Sequence, residues 1–256
     1  MTNFKREAAF TLVELAIVIV IIGLLVGGVL QGQELIKQAK VRTMIKSIED
    51  YKAATYAFKA KYNDLPGDSL RHATFLPGAG IYEGNGNGVV ETHLELLEYW
   101  KALGAAKLIK GTYTGHPTGV VTAAVPINDK RAPVDSASNS YMFRCMPGNA
   151  ITSPYGPVFG RKGCHFYVSK IGTGLATNNL GWAIMSAEDA MAVDFKFDDG
   201  VAHSGTILGT RQSIIAGGSP AGCNTTMDPY NLASPAISDY NLDDTVGCIL
   251  LFDFNP

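Results

Sequence analysis

Five histidines, His72, His93, His116, His165 and His203, are the natural candidates for metal or acid–base chemistry. They are scattered, and none belongs to an HExxH or a comparable ligand spacing. Ser219 sits in Gly217-Gly218-Ser219-Pro220-Ala221, which lacks the closing glycine of a nucleophile elbow. Gly84-Asn85-Gly86-Asn87-Gly88 is rich in glycine, but no Gly-Lys-Ser/Thr ending follows to hold a phosphate. Nothing in the chain combines a nucleophile, a base and a group to orient them. The sequence reads as non-enzymatic.

Two sets of residues carry more. Glu83, Asn85, Asn87 and Glu91 place oxygen ligands at the first, third, fifth and ninth positions of a calcium-type loop, with Gly88 at the sixth. Leu94 occupies the twelfth position, where such loops need a bidentate glutamate. The same Asn-Gly alternation describes a tight surface turn, which is the preferred reading, with calcium as the one cofactor to consider. The second set is Cys145, Cys164, Cys223 and Cys248. An even count with no CxxC, behind a membrane-targeting segment, favours two disulfides over a metal site. Three connectivities are open, and the sequential one, Cys145 with Cys164 and Cys223 with Cys248, is the expectation adopted.

The third feature is a single carboxylate. From Phe10 to Leu30 the chain is apolar except for Thr11 and Glu14. As a helix this run spans about 31 Å, the thickness of a hydrocarbon core. Lys5 and Arg6 precede it, so the positive-inside rule keeps Met1 to Ala9 cytoplasmic and sends the rest outward. A cleaved secretory signal would be shorter and would end in a small-residue site. A plain anchor would not carry Glu14, because an ionised carboxylate at bilayer centre costs roughly 2.5–3.5 kcal/mol, less near the end. A charge kept at that cost implies a partner.

The elements that must position these residues follow from periodicity. Beyond Gly27, Gly28 and Gly32, apolar residues recur in steps of three and four at Leu35, Ile36, Ala39, Met44, Ile45, Ile48, Thr55, Phe58 and Tyr62. One helix is therefore expected over residues 10–62, with 10–30 as its membrane-spanning part. The glycines mark where it could bend. "KYNDLPGD" ends it through Pro66-Gly67. A second amphipathic helix is expected near Glu91 to Ile109, and a third capped by Ser186 and Asp189 and reaching Phe197. Short strands are read at "GVVTAAV", "SYMFRC", "CHFYVSK", "GWAIMS" and, after an "FDDG" turn, "GTIL". In a chain of 256 residues with 21 basic and 23 acidic side chains, residues 63–256 form one α+β domain with no general attraction to nucleic acid.

Ala9-Phe10-Thr11-Leu12-Val13-Glu14, behind a short basic leader and before an uninterrupted apolar run, resembles the processing site of type IV pilins and of the pseudopilins of type II secretion. "YNDLPGD", "GNGNG" with "LEYWKALGAAKLI", and "AEDAMAVDFKFDDGVAHSG" resemble larger pilin-like proteins. The resemblance implies an α+β pilin-like fold, a long N-terminal helix packed on a globular domain with a short antiparallel sheet. It implies a leader, residues 1–9, removed by prepilin peptidase between Ala9 and Phe10, with methylation of the Phe10 amine. The family usually has glycine before the cut; Ala9 departs from that but is still small. Glu14 then corresponds to the glutamate that meets the Phe10 amine of a neighbouring subunit. The implied product is a structural subunit held in the inner membrane, N-terminus inside, and then built into a periplasmic or cell-surface filament. Its implied partners are copies of itself, related subunits, the peptidase, and the assembly platform with its ATPase. A secretion pseudopilin and a membrane-tethered adhesin are the alternatives. Some pseudopilins bind calcium in a loop of the globular domain.

Overall fold

A computed structural model describes residues 11–116, 130–135, 139–146, 163–170, 184–202, 204–211, 223, 240, 247–254 and 256. The chain divides into two units, Met1–Ile45 and Lys46–Pro256. Helix α1, Leu12–Tyr62, runs for 51 residues without a break. Within the first unit it is long and apolar enough to cross a membrane. Every side chain from Leu12 to Leu30 is exposed. Among the described residues, a Cβ added at Gly23, Gly27, Gly28 or Gly32 would meet nothing within 4 Å. The helix passes through its glycines intact. It stops where Asn63 turns to φ 54° while its N–H still bonds Lys59 O at 2.8 Å. Asparagine tolerates that left-handed conformation better than most residues, so it makes a clean helix end.

In the second unit the end of α1 supplies one wall of an aromatic core. Ile48, Thr55 and Phe58 are fully buried at helical spacing. The Tyr51 ring meets Trp100 at 5.0 Å and Tyr141 at 5.4 Å between centroids. The Thr55 hydroxyl bonds the Tyr99 hydroxyl. A short helix, α2, His72–Phe75, and then α3, His93–Ala105, follow. In α3 the Thr92 side chain accepts from Glu95 N while the Glu95 carboxylate accepts from Thr92 N, a complete capping box. Lys107, at φ 59°, ends α3 sooner than the expected Ile109. Tyr99 stacks on Phe143 at 4.4 Å, and Phe143 and Phe254 flank Phe166. Such pairs add about 0.5–1.5 kcal/mol each beyond their buried area.

The sheet is antiparallel and five-stranded, in the order β1-β2-β5-β3 with β4 also on β5. Its strands are β1 Asn139–Met146, β2 Gly163–Lys170, β3 Met185–Ser186, β4 Ile207–Arg211 and β5 Gly247–Phe254. Helix α4, Ala187–Phe197, begins with the Ser186 side chain accepting from Asp189 N, and packs against β3, β4 and β5. Of the expected strands, "GVVTAAV" and the first three residues of "GWAIMS" lie outside the described residues, and the described part of the latter is strand at Met185–Ser186. Strand β5 was not among those expected, yet it pairs with three others. Its run from Cys248 to Phe252 is buried without a break. Alternation, the usual sequence sign of a strand, is absent where both faces are covered.

Candidate functional site

Ala9 and Phe10, the two residues of the expected cleavage point, lie outside the described residues. The described chain starts one residue later, on a compact device. Glu14 Oε2 accepts the Thr11 N–H and the Thr11 hydroxyl, each at 2.8 Å. In return Thr11 Oγ1 accepts from Glu14 N at 3.3 Å. Thr11-x-x-Glu14 is thus a capping box at the first turn of α1. A carboxylate there also meets the positive end of the helix dipole. Sequence reading treated Glu14 as a charge awaiting a partner and missed that Thr11 already serves it. The Thr-x-x-Glu spacing was the signal.

Residues 4–30 match the family model described as the prokaryotic N-terminal methylation motif. This is the signature of type IV pilins and pseudopilins. The pilin signature covers the basic residues before the apolar run, the Thr11–Glu14 box and the helix as far as Leu30. Neither a curated protein nor a solved structure matches the chain. The α+β architecture, a long N-terminal helix with a C-terminal antiparallel sheet, is the one that goes with the pilin signature.

The loop proposed for calcium is built differently from a cation cage. Asn85 Oδ1 accepts from Asn87 N at 2.9 Å, Asn87 Oδ1 from Val89 N at 3.0 Å, and Glu91 Oε1 from Asn87 Nδ2 at 2.8 Å. Three of the four candidates are therefore joined in one chain of bonds, and Glu83 takes no part in it. These oxygens face the loop's own N–H groups, so the set does not fit a calcium ion as arranged. The negative charges that organise the loop lie beneath it. Asp68, 3% exposed, accepts Asn87 N at 3.2 Å and Gly88 N at 2.8 Å. Glu95 accepts Asn85 N, Glu91 N and Thr92 N at 3.0–3.3 Å. Glu98 accepts His116 N at 2.7 Å and Tyr82 N at 3.2 Å, with Lys101 Nζ 3.8 Å away. Burial raises the Asp68 and Glu98 carboxyls above their ordinary range, and the amide donors oppose it.

Glycine is required where this clasp closes. A Cβ at Gly67, φ 86°, would come 2.4 Å from Glu95 O, and one at Gly84 would come 2.4 Å from Asp68 C. His72 is fully buried beside it, with Nε2 accepting from Gly67 N at 3.2 Å and Nδ1 donating to Tyr82 O at 3.1 Å. That pattern requires a neutral ring.

The described cysteines form two disulfides, Cys145–Cys164 and Cys223–Cys248. The first joins directly opposed residues of β1 and β2, and the second holds Cys223 to β5. His93 starts α3 and His165 lies in β2 opposite Asp253, so the histidines form no common site among the described residues; His203 lies outside them. Asp194, Asp198 and Asp199 do converge, with ligand-type oxygens within 4.8 Å of one another. Each is engaged in holding the turn after α4. Asp194 takes Tyr240 OH and Gly200 N, Asp198 takes Thr206 N and Ile207 N, and Asp199 takes Val201 N and Ser204 OH.

Proposed function

We propose that the chain is a structural subunit of a type IV pilus-like filament, made as a precursor, cut between Ala9 and Phe10 by prepilin peptidase and methylated on the Phe10 amine. The observation that carries this reading is Glu14 in an otherwise apolar helical run, exposed from Leu12 to Leu30, that matches the methylation motif. An apolar surface of this extent needs a lipid or protein environment. In a filament that environment is copies of the same helix. There the Glu14 carboxylate and the cationic Phe10 amine of a neighbour offset each other's burial.

Before assembly the helix holds the subunit in the inner membrane, with Met1 to Ala9 cytoplasmic and the second unit outside. The partners this requires are copies of the chain and related subunits, the peptidase, and an assembly platform driven by its ATPase. The motif speaks for a structural part and not for an enzyme. A secretion pseudopilus is the other destination the same signature serves. Loss of surface filaments on deleting the gene, with protein secretion intact, favours the pilus; the reverse pattern favours the pseudopilus.

The decisive experiment is to express Glu14→Ala and Glu14→Gln in the native host and measure processing and sheared filament yield separately. Both variants are expected to insert and lose the leader normally, while Glu14→Ala gives almost no filaments and Glu14→Gln fewer than wild type. Normal filament yield from processed Glu14→Ala would overturn the reading.

A further inference from the structure

We propose that Asn87-Gly88 is a latent self-modification site, a deamidation site, which the buried Asp68 carboxylate holds closed. Asparagine followed by glycine can cyclise on itself. The glycine amide nitrogen attacks Asn87 Cγ, a new C–N bond forms, and the bond to the side-chain nitrogen breaks. Ammonia leaves carrying the proton that the amide gives up, and a five-membered succinimide remains. Water then opens that ring at either carbonyl, producing aspartate or isoaspartate. No enzyme and no reactant beyond water is needed.

Much of what this reaction needs is in place. Asn85, Gly86, Asn87 and Gly88 are exposed, so water reaches the loop. Gly88, at φ 84°, has no side chain to shield its nitrogen, and among the described residues nothing lies within 4 Å of where its Cβ would be. Val89 N donates to Asn87 Oδ1 at 3.0 Å, which polarises the carboxamide carbonyl and folds it forward along the chain. What is withheld is the nucleophile. Gly88 N–H points at Asp68 Oδ2, 2.8 Å away. A hydrogen bond to a carboxylate ties up that proton, and a negative charge at this range opposes the amide anion that must form.

The neighbouring Asn85-Gly86 pair is held in another way. Gly86 N donates to the backbone oxygen of Asp68 at 2.8 Å, not to its side chain. The two asparagines therefore respond differently to one substitution. Asp68→Ala frees Gly88 N but leaves the acceptor of Gly86 N in the chain. Unfolding frees both.

The test ages the full chain in detergent at neutral pH and reads deamidation and isoaspartate at each asparagine by peptide mass spectrometry. Wild type, Asp68→Ala, Asp68→Asn and wild type unfolded and reduced in urea are compared. Loss of one charge-assisted bond corresponds to a rate increase on the order of tenfold to a hundredfold. That increase is expected at Asn87 of Asp68→Ala with little change at Asn85, and a smaller one in Asp68→Asn, which keeps an oxygen acceptor without the charge. Equal acceleration at both asparagines in a folded variant, or none at Asn87, overturns the proposal. Should neither variant fold, wild type decides alone. Gly88 N–H must then be protected from hydrogen exchange, and Asn87 must deamidate more slowly folded than unfolded; equal rates overturn it.

Discussion

Thr11 gives Glu14 Oε2 two hydrogen bonds from one residue, through its N–H and its hydroxyl, both 2.8 Å long. The carboxylate is thus already oriented before any neighbour arrives. Thr11→Val keeps the shape and the N–H but removes the hydroxyl, so the side chain of Glu14 gains freedom that the proposed pairing would have to remove. Filament yield is expected to fall a few-fold while leader removal is unchanged, and Thr11→Ser is expected to retain most of the yield. Equal yields for valine and serine would show that the hydroxyl is passive. Sheared-filament quantification against total processed subunit measures this.

His72 makes the domain sensitive to acid. Burial lowers its pKa below the ordinary 6.5, because the charged ring would be desolvated, outweighing the bond to Tyr82 O. The unfolded chain therefore takes up this proton first, and stability from His72 is lost as pH falls below about 6.5. Asp68 and Glu98 have raised pKa values and contribute the opposite slope. The comparison is thus between wild type and His72→Leu by urea unfolding at several pH values. The variant leaves Gly67 N and Tyr82 O without their partner and should lose about 2–4 kcal/mol at pH 7. The gap between the two should narrow from pH 7 to pH 5. A gap independent of pH would show that His72 does not titrate differently on folding.

Asp194 has the reverse sign. Burial pushes its carboxyl from 3.8 up to about 6, against the bonds from Tyr240 and Gly200. The folded chain therefore holds this proton more tightly, and the associated stability is present below about 4 and lost as pH rises through about 6. Tyr240 donates to Asp194 Oδ2 at 2.8 Å, and its ring lies so close to Gly209 that a Cβ there would sit 2.3 Å from Cε1. Tyr240→Phe keeps the ring and deletes the donor. It should cost about 1.5–3 kcal/mol at pH 7, where the carboxylate is charged, and less at pH 5. Asp194→Asn should flatten the slope around pH 6. Thermal or urea unfolding across that range would show either effect, and a Tyr240→Phe penalty equal at both values would refute it.

Local patterns carried much of the architecture. The helical periodicity of Ile48, Thr55 and Phe58 could be read because one face alone is buried, and the pairing of Cys145 with Cys164 agrees with their opposed places in two adjacent strands. Strand β5 escaped for the opposite reason, since Cys248 to Phe252 are covered on both faces and show no period of two. The Asn-Gly alternation was readable as a tight turn, whereas the carboxylates that hold its N–H groups were not read from it. Asp68 lies far before Asn87 and Gly88 in the sequence, and only folding brings it under them, whereas Glu95 follows the loop at capping distance. Thr92-x-x-Glu95 and Thr11-x-x-Glu14 were both legible as capping boxes from spacing alone.

The position of β5 in the chain has a consequence for how the molecule is made. The strand that joins β2, β3 and β4 follows all three of them in the chain. A ribosome or a translocation channel delivers the polypeptide from its N-terminal side, so α1 is available first and the sheet cannot close until Gly247 to Phe254 emerge. Partial chains have three strands with their shared edge unfilled. Stop codons or proteolysis anywhere ahead of Gly247 leave the long helix without a finished sheet, and open strand edges of that kind invite non-native pairing. Folding of the second unit therefore reports that synthesis has passed Phe254.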